Sequence, residues 1–254
     1  MHKPLLQGGG GSGDMERAAR AMGACDGRRQ DGLKDEKEQG ETEMLTLYHC
    51  NGSRSMRSLW LLYEMGIDFA LKELTFSMEG LRTPEYLSIS PLGRVPCLVD
   101  EGVSVFESGA IAQYLGEHYD REGKLHRPVG HPERTEWLIW LHYAETMAVH
   151  GASLVQQKVF IARSERSPVV QKLESRRLEK SLEVVDRHLK DRDYLLKSGF
   201  STVDTNVGYS VHLAKDFVSL DPFPNLVKYY ERLAARPAFK KAAASVPLDE
   251  QAGA

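Results

Sequence analysis

The chain has 254 residues, 41% of them hydrophobic and 27% charged, enough for one large or two modest globular domains. A formal net charge of -3 gives no reason to expect a nucleic-acid or anionic-membrane partner, and no apolar run approaches the roughly 20 residues that span a bilayer. Three widely spaced cysteines (Cys25, Cys50, Cys97) and nine histidines without His-x-x-x-His or Cys-x-x-Cys spacing predict no disulfide framework and no metal; a reducing, cytoplasmic setting follows as the default.

Residues 1–43 read as a disordered or non-native extension. Gly8-Gly-Gly-Gly-Ser-Gly13 is linker-like, and the stretch from Gly23 to Glu43 is charged and lacks aromatic residues, so it cannot bury enough apolar surface to offset the entropy of ordering. No apolar core of a secretory signal is present, and seven Lys/Arg against nine Asp/Glu argue against a transit peptide. The glycine run neither follows a strand nor ends in Gly-Lys-Ser/Thr, so it is not a phosphate loop.

Ordered sequence is expected from Met44. Leu45 to His49 alternates as a strand does, and Asn51-Gly52 turns it. Ser53 is the expected cap of a helix with an apolar stripe of Met56, Leu59, Trp60 and Tyr63, closed by Gly66. Ile67 to Leu74 reads as a second strand, and Thr83 to Leu87 as a short helix. Pro91 to Pro96 is a turn around Gly93. Cys97–Val99 and Val103–Phe106 form a hairpin over Asp100-Glu101-Gly102, and Ser108 is the expected cap of a helix carrying Ile111, Tyr114, Leu115 and His118. The order β-α-β-α-β-β-α over residues 44–120 is that of a thioredoxin-like fold. Residues 121–130 read as a polar linker. Residues 131–254 read as an all-helical domain: one helix from His131-Pro132 to about Arg163, another from Pro168 to about Arg192, and a third opened by the capping box Ser201-Thr-Val-Asp204 with Phe200 as a staple.

Chemistry concentrates in residues 89–115. Pro96 cannot donate to a sheet ladder, so the backbone before it is free for another partner. The Glu107 carboxylate offers an acceptor for an ammonium beside a helix start that favours a carboxylate, a pair suited to a zwitterionic amino-acid head group.

Pro91-Leu-Gly-Arg-Val-Pro96 followed by Phe106-Glu-Ser-Gly-Ala-Ile-Ala-Gln-Tyr-Leu115 resembles the glutathione-binding half of cytosolic glutathione S-transferases, of bacterial or fungal type. Phe200-Ser-Thr-Val-Asp204 and Leu233-Ala-Ala-Arg-Pro-Ala-Phe239 resemble that family's helical half, with Val203 and Thr205 departing from the usual pattern. The resemblance implies a homodimer that uses glutathione as co-substrate against a hydrophobic electrophile or a peroxide, without metal. It assigns Arg94, Val95 and Pro96, with a cis Val95–Pro96 bond, to the cysteinyl part of glutathione. Glu107 and Ser108 fall to the γ-glutamyl end.

In that family the thiolate of glutathione attacks the electrophile. A thiol of pKa ≈ 8.5 must fall by about two units to ionise at neutral pH, roughly 2.7 kcal/mol of preference for the anion. One hydroxyl donor and a helix N-terminus can supply it, at roughly 1.5–3 and 0.3–1 kcal/mol. Ser53, four residues before Arg57, is the preferred donor on the family's serine pattern. Tyr48 at the end of the first strand is the competitor, with Ser55 and Cys50 as minor candidates. Cys50 stands three residues too early for the cysteine of thiol-transferase relatives, which favours conjugation or peroxide reduction. The electrophile pocket is expected along the helix from Pro132, with Trp137, Trp140, Tyr143 and Met147 available. The rivals are a glutathione- or ligand-binding protein without turnover and a glutathione-dependent isomerase or dehalogenase.

Overall fold

The computed structural model describes residues 44–77 and 79–244; the extension expected over residues 1–43 lies outside the described residues, as do residues 245–254. Strand β1 (Thr46–His49) alternates as its sequence requires, with Leu47 and His49 buried and Thr46 and Tyr48 half-buried. A turn over Asn51-Gly52, with Gly52 at φ 68°, leads to α1 (Met56–Met65). The helix starts two residues later than a Ser53 cap would have it: Ser55 holds the cap position, and Ser53 sits in a tight lead-in turn in which its C=O accepts the Met56 N–H at 3.1 Å. Gly66 (φ 64°, ψ 30°) ends α1 in the left-handed region; a Cβ there would meet nothing within 4 Å, so the backbone conformation alone calls for glycine.

Strand β2 (Ala70–Glu73) is shorter than the stretch from Ile67 to Leu74 suggested, and pairs in parallel with β1 to complete the β-α-β unit. Helix α2 (Pro84–Ile89) is capped by Thr83, whose Oγ1 accepts the Tyr86 N–H. Strands β3 (Cys97–Asp100) and β4 (Val103–Phe106) form the expected hairpin, and α3 (Ser108–His118) follows. Sheet order is β2-β1-β3-β4, with β3 antiparallel to both its neighbours.

Helices make up the second half. Helix α4 (Arg134–Val155) starts after a turn at His131 and gives way at Val155 to a five-residue π turn (Gln156–Phe160), so the α conformation stops earlier than the expected end near Arg163. Helix α5 (Pro168–His188) is capped by Ser167. Then come α6 (Thr202–Ala214), α7 (Pro224–Ala235) and α8 (Pro237–Ala243). Helices α4, α5 and α6 pack together, and α6 also meets α1 and α3. Between sheet and bundle, α1 is buried on nearly every side: Met56, Arg57, Ser58, Leu59, Trp60, Leu61 and Leu62 are all inside. Each fully buried leucine there contributes about 1.5–3 kcal/mol. The protein is thus a thioredoxin-like sheet domain joined to an all-α domain, and no helix among the described residues is long and apolar enough to cross a membrane.

Candidate functional site

Sheet register brings three sequence-distant segments to one end of the sheet. Tyr48 pairs with Cys97 and Cys97 with Phe106, so the end of β1, the start of β3 and the end of β4 lie side by side. The residues just beyond those ends are the β1–α1 turn with Ser53, Val95-Pro96, and Glu107-Ser108.

The Val95–Pro96 bond is cis, as the resemblance implied. The loop before it is fixed by the Arg94 carbonyl, which accepts from the Tyr86 hydroxyl at 2.6 Å and from Ser90 Oγ at 2.9 Å, while the Arg94 side chain is exposed. Among the described residues the N–H and C=O of Val95 have no hydrogen-bond partner. A backbone donor and acceptor left open at a sheet end can take an extended peptide.

Glu107, not Ser108, is the cap residue of α3, and it holds φ 73°, ψ 119°, a conformation unfavourable for a residue with a Cβ. Its side chain is exposed and its C=O accepts the Ile111 N–H, so the N–H groups of Ser108, Gly109 and Ala110 face outward at the helix start. Ser108 is the first helical residue and is buried; its Oγ accepts from Arg57 Nη1 at 2.9 Å and donates to Glu145 Oε1 at 3.4 Å.

Arg57 is wholly buried. Its guanidinium also donates to the Ala144 carbonyl at 3.1 Å and Ser210 Oγ at 2.8 Å, and it is paired with Glu145. Arg54 reaches the other Glu145 oxygen at 2.8 Å. Burial alone would raise the Glu145 carboxyl, but the charges of Arg57 and Arg54 and the bonds from Arg57 and Ser108 outweigh it and hold the group below its ordinary value. Sequence reading missed Glu145. The available signal was a carboxylate on an otherwise apolar face, between Leu141 and Ala148 at helical spacing.

Ser53 lies 7% exposed at the floor of the turn. Its Oγ donates to the Cys50 carbonyl at 2.8 Å, accepts the Ser55 N–H at 3.2 Å and lies 2.7 Å from Ser55 Oγ. Ser55 Oγ is in turn 2.7 Å from His49 Nδ1, and His49 Nε2 is 2.9 Å from Asn51 Oδ1. His49 was not among the candidates; its place beside Leu47 on the inward phase of β1 was the readable signal. Burial pushes the imidazole below its usual pKa, against the Asn51 hydrogen bond and the charge of Glu73.

Tyr48, on the opposite phase of β1, faces the other side of the sheet, where its ring packs 5.4 Å from that of Tyr86 and its hydroxyl accepts from Lys72 Nζ at 3.3 Å. The Cys50 thiol is fully buried and pushed up to about 12 by burial, and Cys97 to about 11, so neither is a nucleophile at neutral pH.

Of the residues expected to line an electrophile pocket, Trp137, Trp140 and Met147 are buried in the core and Tyr143 is half-buried against it. Trp137 is fully buried and donates through Nε1 to Thr202 Oγ1 at 2.8 Å. Trp140 packs between Tyr143 and His188, Met147 is 1% exposed, and the Tyr143 hydroxyl donates to the Ser181 carbonyl. Their faces of α4 meet α5 and α6; the side chain that α4 turns toward the β1–α1 turn is Glu145. No group of three or more His, Cys, Asp or Glu side chains is arranged to hold a metal among the described residues.

Two family models match in tandem: the glutathione S-transferase N-terminal domain over residues 43–117 and the glutathione S-transferase C-terminal domain over residues 157–245. The chain is 31% identical over 209 residues to a glutathione S-transferase-like protein, OpS6, of Beauveria bassiana, covering 78% of this chain and 93% of the relative. It is 28% identical over 216 residues to glutathione S-transferase 3 of Schizosaccharomyces pombe, covering 80% and 88%. The crystal structure of a glutathione transferase homolog from Lodderomyces elongisporus, with two GSH per subunit, superposes with a TM-score of 0.73 at 21% identity, covering 80% of this chain and 98% of that one. With a thioredoxin-like sheet joined to a helical bundle and both family models matched, this chain belongs to the glutathione S-transferase family.

Proposed function

We propose that the protein is a glutathione transferase in which Ser53 stabilises the thiolate of bound glutathione for attack on a hydrophobic electrophile or a peroxide. The observation that carries this reading is the convergence, at one sheet end, of an open Val95 backbone, the α3 start with Glu107, and Ser53 at the lead-in to α1. Glutathione would lie extended across that end. Val95 pairs with its cysteinyl backbone, the Glu107 carboxylate takes the γ-glutamyl ammonium, and the open N–H groups of α3 take the carboxylate. Ser108 acts less as a direct ligand than as a buried link between Arg57 and the α3 start. The sulfur then reaches the β1–α1 turn, where a hydroxyl and the positive end of α1 favour the anion. Tyr48 is set aside because its hydroxyl faces the opposite side of the sheet.

We further take the protein to be a homodimer; the support is apolar surface left exposed at Val103 and Phe106 on β4 and Ile139 and Val149 on α4. Two buried free thiols suit a reducing compartment, and the cytoplasm is the natural one. A second reading, a glutathione-binding protein without turnover, is favoured by one observation: the Ser53 hydroxyl is within donating distance of the Cys50 carbonyl rather than free. Side-by-side activity with a chloronitroaromatic, a hydroperoxide and a mixed disulfide separates the two. Turnover of either of the first two supports a transferase, and glutathione binding without turnover of any of the three supports the carrier.

A further inference from the structure

Resting on the reading of Ser53 as thiol activator, hydrogen-bond direction in the β1–α1 turn carries a further step. A hydroxyl has one proton to give. Ser53 Oγ accepts the Ser55 N–H and has two internal acceptors for its proton, the Cys50 carbonyl at 2.8 Å and Ser55 Oγ at 2.7 Å; to donate to a thiolate it must turn from both, and Ser55 can then donate to it. If Ser55 gives its proton to Ser53, it has none for His49 Nδ1, 2.7 Å away, so that nitrogen must itself carry a proton. His49 Nε2, held by Asn51 Oδ1 at 2.9 Å, already donates outward. With the hydroxyls directed that way, the thiolate-bound state has a doubly protonated His49 and the thiol-bound state a neutral one.

We propose that His49 is the positioning residue of this site: through Ser55 it receives the proton that the glutathione thiol gives up at Ser53, leaving the Ser53 O–H aimed at the sulfur. The S–H bond breaks and its proton bonds to Ser53 Oγ; the Ser53 proton passes to Ser55 Oγ, and the Ser55 proton to His49 Nδ1. Both hydroxyls are regenerated with their direction reversed, and the electron pair stays on sulfur. Once the thioether has formed, the proton returns along the same chain to the leaving group or to water. Ser55 and His49 are 0% and 1% exposed, which keeps water from both bonds; the competing acceptor is the Cys50 carbonyl, 2.8 Å from Ser53 Oγ and 3.1 Å from Ser55 Oγ. The groups around His49 suit a transient cation: Glu73 is its register partner on β2, Asn51 accepts from Nε2, and the neighbouring Cys50 thiol is neutral. Burial opposes the charge and lowers the imidazole pKa, so the proton transfer relies on Glu73, Asn51 and the thiolate left at the other end of the chain to hold the cation.

The test measures the apparent pKa of bound glutathione from thiolate absorbance against pH, with affinity by calorimetry, in the full-length protein and in His49→Gln, Ser55→Ala and Ser53→Ala. The expected result is a rise of about one pKa unit in His49→Gln and Ser55→Ala, which is about threefold less thiolate at pH 7, with glutathione affinity within about threefold. An unchanged thiol pKa in His49→Gln beside a raised one in Ser53→Ala overturns the relay and leaves Ser53 standing. An unchanged pKa in Ser53→Ala removes the Ser53 reading itself. Should the variants not fold, the unmodified protein decides. With nitrogen-15 histidine, His49 Nδ1 should become protonated on saturation with glutathione at pH 7, and an Nδ1 signal that stays unprotonated overturns the proposal.

Discussion

Glu107 holds a disfavoured backbone conformation at the α3 start, where the proposed function gives it the γ-glutamyl ammonium. Its φ of 73° lies where side chains are disfavoured, at a cost of order 1–3 kcal/mol, and nothing in the α3 helix requires a carboxylate there. Glu107→Gly should therefore raise the unfolding free energy by about 1 kcal/mol in urea titration while weakening glutathione binding tenfold or more, as a charge-assisted bond worth roughly 1.5–3 kcal/mol is lost. Glu107→Gln should lose the affinity without the gain in stability. Calorimetry on both variants checks the pair, and unchanged affinity in both would exclude Glu107 from the site. Residue identity at this site was legible where backbone chemistry forces it: a proline with an open neighbour, and a carboxylate beside a helix start. Side-chain direction was not. Ser108 was expected as a cap, yet its hydroxyl is held by Arg57, a contact between residues 51 apart that no local pattern encodes.

At the scale of elements, strands and caps were readable because each depends on a few adjacent residues, and boundaries were not. The capping box of α6 is present: Asp204 Oδ2 accepts the Ser201 N–H at 2.8 Å. Its surroundings differ from a surface cap. Asp204 is fully buried and its other oxygen accepts from Leu195 N–H at 3.1 Å and the Tyr229 hydroxyl at 3.0 Å, so one carboxylate ties α6 to the preceding loop and to α7. Phe200, the expected staple, packs on Trp60 at 5.9 Å and under the Arg236 guanidinium at 3.7 Å. Burial raises the Asp204 carboxyl to about 6, against its hydrogen bonds. A carboxyl whose pKa is raised on folding favours the protonated folded state. Its contribution is therefore full below the unfolded value near 3.8 and is lost as pH rises through about 6. Relative to Asp204→Asn, the parent protein should lose stability between pH 4 and pH 7, by up to about 3 kcal/mol. Urea midpoints for the two across that range test it; parallel curves would mean the carboxyl is not raised. Asp204→Ala should cost about 3 kcal/mol or more, because four buried donors lose their acceptor: the N–H groups of Leu195 and Ser201 and the hydroxyls of Ser201 and Tyr229.

For the molecule as a whole, the two halves are braced where the site is built. Arg57 of α1, Ser108 of α3, Glu145 of α4 and Ser210 of α6 share one guanidinium, and Arg236 at the α7–α8 junction grips Glu64 of α1 through two bonds of 2.6 and 2.7 Å. Arg57→Met removes the bonds to Ser108, Ser210 and the Ala144 carbonyl, while Glu145, its side chain 36% exposed, keeps Arg54; the variant should destabilise by about 1–3 kcal/mol. The loss should appear as a lower thermal midpoint, and it should lower glutathione affinity as well, because Ser108 and the α3 start are freed. A variant of unchanged stability would show that the brace contributes nothing. The sequence hinted at this joint only as an arginine four residues after Ser53; its true partners lie 88 and 153 positions away.

Thiolate stabilisation by Ser53 is the central claim, and the pH–rate profile of conjugation measures it most directly, read with the thiolate absorbance of bound glutathione. Ser53→Ala should raise the thiol pKa and lower turnover at neutral pH, with the deficit shrinking as pH rises and the thiol ionises unaided. Tyr48→Phe should leave the profile where it is. A profile shifted by Tyr48→Phe and unmoved by Ser53→Ala would contradict the account and make this a tyrosine-type enzyme.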